Sequence, residues 1–514
     1  MKLKAIISLL LCFLMVSAVF VSCTDDPADT SSTESKAGTS QTDNSNGTSI
    51  PDSSGEESED PYTDSNGMYS TKNLPAFKDE WRDYETFRVL VTSDETQKTY
   101  FNEEIENLYE TTDSAIAEGV TRRNNWVYDV YGITVKAVPV SDCLKAIRDE
   151  VSGNLNTFDA AMPFMSAAAT LAQEGLFYDL AEFEDIIDLD APWWDQNATS
   201  ALSIGNRVYF TTGDMSIMQK IVSSGIAFNK DLLANYFPGY DIYEDVYNGT
   251  WTLDKLYSMS KQVTGVLEDD GVMDEKDMWG IIDTGPSFFY GCGEQLVTKD
   301  ENNYPVLALT KSERSINVAQ KVLALGAEKK TWYATVDDWT DRTSIWDMVV
   351  KVFGEGRSLF MALHFSAVKK LRPYDVNYGI VPAAKFNETQ DNYYTKCSAN
   401  YANAICIPKT VRDEEFSAYM IELLSIGGKN HISNTYYNVV LKSKDIKDED
   451  SERMLDIIFN NIVYDPAIVY KFDNLNNLFN TLIQNKSTDI VSALQAIEDA
   501  VLAAIDDVIA NYDQ

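Results

Sequence analysis

Chemistry that transforms a substrate needs particular side chains at particular spacings, and this chain offers few of them. It has two histidines, His364 and His431, in 514 residues. Reactions that need several imidazoles are therefore excluded. There is no G-x-S-x-G elbow, no H-E-x-x-H pair and no phosphate-binding loop. A pair of carboxylates could cleave a glycosidic bond, but 80 Asp and Glu residues always supply some pair, so their number decides nothing. The acidic stretch from Glu268 to Asp277 resembles a worn calcium loop, with Gly271 at the sharp turn and Glu268, Asp270 and Asp277 at ligand positions. Val266 would then stand at the first ligand position and cannot coordinate, so the stretch reads as a solvated acidic turn. No metal or cofactor is expected. Four of the six cysteines lie beyond the N-terminal segment: Cys143, Cys292, Cys397 and Cys406. None has C-x-x-C spacing. Cys397 and Cys406 are the nearest pair for one disulfide, and free buried thiols are the equal alternative.

The composition narrows the partners. Lys and Arg total 42 against the 80 acids, a net charge of −38 that repels nucleic acid and anionic lipid headgroups. Apolar residues make up 44% of the chain, enough for a sizeable core. A cationic start, Met1-Lys-Leu-Lys4, precedes an apolar run from Ala5 to Val21 and small Ser22, the pattern of a secretory signal over residues 1–22. Cys23 directly after it resembles the lipidated cysteine of a bacterial lipobox, although Phe20 is bulkier than usual there. From Thr24 to Ser70 there are eleven acids and one base, Lys36, with almost no large apolar residue. Residues 23–80 therefore read as a disordered acidic linker holding the folded part to the membrane through lipid alone.

The elements that follow must position any site. Phe87–Val91 reads as a strand. Ile116, Val120, Val127 and Val130 recur at helical spacing over Ser114–Tyr131, and Gly132 stops that helix. Ile133–Val140 is a second strand, Ser141–Ser152 a helix capped by Ser141, Phe158–Met162 a third strand and Ser166–Gly175 a helix. This βαβαβ rhythm implies a parallel sheet covered by helices, with ligands beyond the carboxyl ends of its strands. Gly225–Phe228, the amphipathic helix Trp251–Val263 capped by Thr252, and Trp279–Ile282 suggest a second α/β region. Apolar residues from Ile490 to Val508 predict one long helix over Thr488–Tyr512.

Six phrases in order resemble the extracellular solute-binding proteins of ABC transporters, in the sugar-binding branch that includes maltose-binding protein. They are Phe158-Asp-Ala-Ala-Met with Leu171-Ala-Gln-Glu-Gly-Leu-Phe-Tyr-Asp-Leu180; Gly205-Asn-Arg-Val-Tyr-Phe210 with Phe228-Asn-Lys-Asp-Leu-Leu233; Trp251-Thr-Leu-Asp-Lys-Leu256; Gly354-Glu-Gly-Arg-Ser-Leu-Phe-Met361; Asn377-Tyr-Gly-Ile-Val-Pro382; and Ala404-Ile-Cys-Ile-Pro-Lys-Thr410. The resemblance spans about 430 residues. It implies a two-lobed periplasmic-binding-protein-like fold of type II with an interlobe ligand cleft. The lobes would be 81–212 with 383–430, and 213–382 with 431–514. It implies a non-enzymatic, monomeric lipoprotein on the outer face of a bacterial membrane that hands a solute, a sugar or oligosaccharide, to a permease.

Sugars offer flat C–H faces to aromatic rings and a rim of hydroxyls to polar groups. By position in the family pattern, Asp94, Phe164, Met165 and Ser166 face the cleft from the first lobe. Phe288, Tyr290, His364 and Phe365 face it from the second. Asp214 follows the first crossing between lobes, and Tyr401 and Trp194 complete the set. Maltose-binding protein carries Trp, Asp and Arg after its third strand, where this chain has Pro163, Ser166 and Ala167, which argues against maltodextrin. Each of these residues has packing as its plain alternative, as do Trp193, Trp332, Trp339, Tyr436 and Tyr437. The rival readings are a lipid-anchored carbohydrate-active enzyme and an adhesion lipoprotein without a closing cleft.

Overall fold

The computed structural model describes residues 60–92, 103–108, 113–267, 270–282, 287–334, 339, 345–438, 441 and 448–513. Its strands, in chain order, are β1 (Thr86–Thr92), β2 (Thr134–Val140), β3 (Ala160–Met162), β4 (Ser224–Asn229), β5 (Trp279–Ile282), β6 (Val297–Lys299), β7 (Pro305–Leu307), β8 (Tyr333–Ala334), β9 (Ser358–His364), β10 (Tyr378–Val381), β11 (Thr395–Lys396) and β12 (Ile462–Val463). They form two main sheets with helices between successive strands, the mixed α/β class expected.

The first sheet has the order β2-β1-β3 and is all parallel, with Thr86 opposite Thr134 and Val89 opposite Ala160. Its connections are the helices Ser114–Tyr131 and Cys143–Gly153. Gly132 ends the first at φ 75°, a left-handed position that glycine takes without a Cβ clash, and its N–H returns to the Tyr128 carbonyl. Ile116, Val120 and Val127 are buried as the spacing predicts. Val130 is half exposed instead, and Tyr131 and Arg123 take the inward positions. The second helix is capped by Asp142 rather than Ser141, because the Asp142 carboxylate accepts from the Lys145 N–H at 2.9 Å. The returning chain extends this sheet. Ala161 and Cys406 exchange backbone bonds at 3.0 and 3.1 Å, and Thr211 and Ile405 do so at 3.3 and 2.7 Å. A long helix, Glu414–Gly428, runs beneath it with every residue from Phe416 to Gly428 buried.

The second sheet has the order β10-β4-β9-β5-β8. β4 is antiparallel to both neighbours, whereas β9, β5 and β8 are parallel. Their carboxyl ends fall at His364, Ile282 and Ala334, and those of the first sheet at Thr92, Val140 and Met162. The helix Leu253–Val263 buries Leu253, Leu256, Met259 and Val263 against this sheet. Thr252 occupies its cap without a side-chain bond.

Two expectations fail in instructive ways. The linker does not run to residue 80: from Asp60 the chain packs on the body. Tyr62 meets Trp193 edge-on at 5.4 Å, Phe77 meets Trp81 at 5.3 Å, and Trp81 is buried. Aromatic rings supply the burial that the surrounding polar residues lack. The predicted C-terminal helix is two, Ile490–Gln495 and Glu498–Tyr512, because Ile497 leaves helical geometry at φ −122°. All four described cysteines are free and buried, so Cys397 and Cys406 do not pair. Cys397 lies against the Gln219 carbonyl and Cys406 against that of Ala161. Glu268 lies outside the described residues. Asp277 turns its carboxylate inward, accepting from the Leu267 and Asp274 N–H groups at 2.7 and 2.9 Å.

Candidate functional site

Beyond the carboxyl end of β5 lies a hollow of about 210 Å³. The short helix Ser287–Gly291 contributes Ser287 and Tyr290. Lys396 comes from β11, and Ser398 and Asn400 from the loop that follows it. Asn476, Asn477 and Asn480 come from the C-terminal segment, and Leu296, Ile468 and Phe479 supply apolar surface. Among the described residues, no carboxylate lines this space. The Lys396 ammonium sits 5.3 Å from the Tyr290 ring centroid, a cation–π contact. Burial, with the charge of Asp465 behind it, pushes the Tyr290 phenol far above its ordinary range, so it stays a neutral hydroxyl.

Local structure explains how these groups are held. Buried Asp465 accepts from the N–H groups of Leu296, Val297 and Ala467, at 2.6, 3.3 and 2.8 Å, tying the wall at Leu296 to that at Ile468. Burial raises its carboxyl to about 6 in spite of those three donors. Four consecutive non-glycine residues, Lys471 to Asn474, have positive φ (68°, 21°, 48° and 63°) and turn the chain so that Asn476, Asn477 and Asn480 reach the hollow. Left-handed backbone costs about 1–2 kcal/mol per such residue. Strain of this kind collects at functional sites. The Asn476 Oδ1 is buried without a hydrogen-bond partner.

The end of the first sheet is close by. Phe164, half-buried, meets Tyr401 edge-on at 6.0 Å. The Tyr401 N–H donates to the Ser398 carbonyl, and the Ser166 N–H to that of Ala399, both at 3.1 Å, so the loop 398–401 joins this aromatic pair to the amide-lined hollow. Met165 is a correction: it is fully buried in the core, because Ala168, Ala169 and Ala172 leave room for it to turn inward. Phe288 is also packing, stacked on Trp332 at 5.6 Å, and Phe365 lies buried against Phe459 at 4.9 Å. His364 ends β9 with Nδ1 2.9 Å from the Val222 carbonyl. Burial holds its imidazole below the ordinary range, so it is neutral near pH 7. Asp94 and Cys23 lie outside the described residues.

Trp194 and Asp214 belong to a second hollow, of about 310 Å³, which shares no lining residue with the first. Both Trp193 and Trp194 are buried, and each donates its indole N–H to one carboxylate, Glu422, at 2.8 Å. Burial raises Glu422 to about 8, outweighing the two indole bonds. Asp214 lies between Lys220 at 2.6 Å and Lys429 at 3.0 Å. Burial pushes its carboxyl up, and the two ammonium groups more than offset that and hold it below the usual range. The stretch Gln219–Ser223 stands between the hollows. Gln219 and Lys220 line the second, while the Val222 carbonyl accepts from Ser398 of the first at 3.3 Å.

Neither a family model nor a curated protein matches the chain. Solved structures match its fold. A cyclo/maltodextrin-binding protein complexed with maltotetraose superposes with a TM-score of 0.54 at 14% identity, covering 83% of this chain and 97% of that one. UspC of M. tuberculosis gives 0.52 at 13% identity, covering 82% and 100%. An ABC substrate-binding protein from Listeria monocytogenes in complex with cycloalternan gives 0.50 at 12% identity, covering 83% and 98%. The two sheets therefore belong to the two-lobed α/β fold of periplasmic binding proteins, as the sequence resemblance implied.

Of the expected site residues, Tyr290 lines one hollow, Phe164, Ser166 and Tyr401 connect to it through the loop 398–401, and Trp194 and Asp214 line the other. The amides were missed. The run Asp473-Asn-Leu-Asn-Asn-Leu-Phe-Asn480 carries four asparagines in eight residues, a density that a search for amide-lined sites would have found.

Proposed function

We propose that this protein is the substrate-binding lipoprotein of an ABC importer, capturing a sugar or oligosaccharide between its lobes for delivery to a membrane permease. The observation that carries the reading is the lining of the hollow beyond β5: asparagine amides, hydroxyls, the Lys396 ammonium and two aromatic residues, with no carboxylate among the described residues, on a two-lobed fold. Each amide both donates and accepts, which matches a sugar hydroxyl, and the Tyr290 ring matches a C–H face. At 210 Å³ the hollow is smaller than most ligand sites, which begin near about 300 Å³, and suits a single ring of the ligand. The Phe164–Tyr401 pair is positioned to cover the next. The lobes are 81–212 with 383–430 and 213–382 with 431–514, and Cys23 carries the lipid that holds the protein on the outer face of the membrane.

A thermal-shift titration over a panel of neutral mono- and oligosaccharides tests the binding. A binder gains stability as RT ln(1 + [L]/Kd), about 2.7 kcal/mol at one hundred times Kd, and returns the sugar intact. Conversion of the sugar would favour the lipid-anchored enzyme instead, and no shift with any sugar would remove carbohydrate from the proposal. Incorporation of labelled palmitate, lost in Cys23→Ala, tests the anchor.

A further inference from the structure

The second hollow has features of a ligand site that the first does not account for. Its walls include Trp193 and Trp194, both buried, with their indole N–H groups tied back to Glu422. The indoles are thus fixed before any ligand arrives, and a wall ordered in advance costs little entropy on binding. Two carboxylates, Asp195 and Asp214, and two ammonium groups, Lys220 and Lys429, line the space, so its formal charge is zero in a chain of −38. Asp214 is committed to both lysines, and Asp195 accepts from the Tyr464 hydroxyl at 2.6 Å and the Ala198 N–H at 3.0 Å. These bonds disfavour a free anion or cation as the occupant.

Donor and acceptor capacity nevertheless remains. The Lys429 ammonium has three N–H groups and meets one carboxylate oxygen. Gln219 is 2% exposed and lines the hollow; its Nε2 donates to the Gly213 carbonyl at 3.2 Å, and its Oε1 has no partner. A buried acceptor left empty costs about 1–3 kcal/mol, which an arriving hydroxyl would recover. Asn460 stands exposed at the rim. At 310 Å³ the space is half as large again as the hollow beyond β5.

We propose that this hollow is a second binding site, for a small neutral polyhydroxylated molecule of one or two rings, held beside the fixed Trp194 wall and bonded by Gln219 and Lys429. It is separate from the site of the proposed transport function and does not depend on it.

The test titrates the full chain with glucose, maltose and myo-inositol. It follows tryptophan emission and, in parallel, ligand retained in equilibrium dialysis. The expected result is a saturable emission change with at least one probe, weakened about tenfold in Gln219→Met and in Asn460→Ala. Asn480→Ala, in the other hollow, leaves that emission change in place. Gln219→Met removes an unpartnered acceptor at nearly constant volume, and Asn460→Ala alters an exposed residue that serves if the first variant does not fold. No emission change with any probe at millimolar concentration overturns the proposal. So does a change that survives both hollow variants, or one abolished by Asn480→Ala. Failure of the transport reading alone would appear differently: no Asn480-dependent retention, with the Gln219-dependent emission change intact.

Discussion

The two hollows are built from different polar groups held in opposite ways. Around Trp194 the carboxylates of Glu422 and Asp214 are buried and that of Asp195 is half-buried, and each already has its donors: two indoles, two lysines and a tyrosine, respectively. Around Tyr290, Asn477 and Asn480 are exposed, and the Asn476 carbonyl oxygen has no partner. The first arrangement contributes to folding and the second does not. A network whose members satisfy one another makes its loss expensive. Exposed amides can be removed without harm to the fold and are free for a ligand. The buried carboxylates should therefore carry stability, while the amides of either hollow, Gln219 and Asn480 among them, answer for binding.

The sharpest way to break this contrast is Asp214→Ala. It leaves Lys220 and Lys429 facing each other with little solvent, and denaturant unfolding should report a loss of about 3 kcal/mol. A loss below about 1 kcal/mol would mean that the network is not the structural half of the pair. Next is pH. Glu422 has a folded value near 8 against an ordinary carboxyl value near 4.5. Its folded value is raised, so its contribution is fully present below about pH 4.5 and is lost as pH rises through 8. Tryptophan emission should titrate with a midpoint near pH 8, and Glu422→Gln should abolish that transition and flatten the fall in stability between these limits. In the other hollow, Asn480→Ala should weaken sugar binding about tenfold while moving stability by less than about 0.5 kcal/mol. A melting shift as large as that of Asp214→Ala would erase the distinction. The smallest effect belongs to the left-handed turn. Lys471→Gly relieves a positive φ, and its gain, partly offset by the freer unfolded chain, should be below about 1 kcal/mol by denaturant titration.

Periodicity carried most of the fold. The helix Ser114–Tyr131 and the strand Trp279–Ile282 match their sequence readings to the residue, because a 3.6-residue stripe with a glycine stop and a short apolar run are local signals. The cap at Asp142 was missed by one residue, since serine and aspartate can both cap and the backbone decides between them. The break at Ile497 leaves the apolar spacing intact and so left no trace in it. The site was less legible. The family pattern points Met165 and Phe288 at a ligand, and their packing decides otherwise: small alanines nearby on the same helix for one, Trp332 for the other. The asparagines depend on a left-handed turn made without glycine, which carries no compositional mark.

One short stretch of backbone has a wider consequence. The Gln219 carbonyl accepts from Ser223 Oγ at 2.6 Å and lies 3.6 Å from Cys397 Sγ, while the next residue, Ser398, hangs on Val222. A guest that displaces Gln219 therefore pulls on the partition behind which another guest sits. Thermodynamic reciprocity then applies: whatever factor one occupant imposes on its neighbour's affinity, the neighbour returns unchanged.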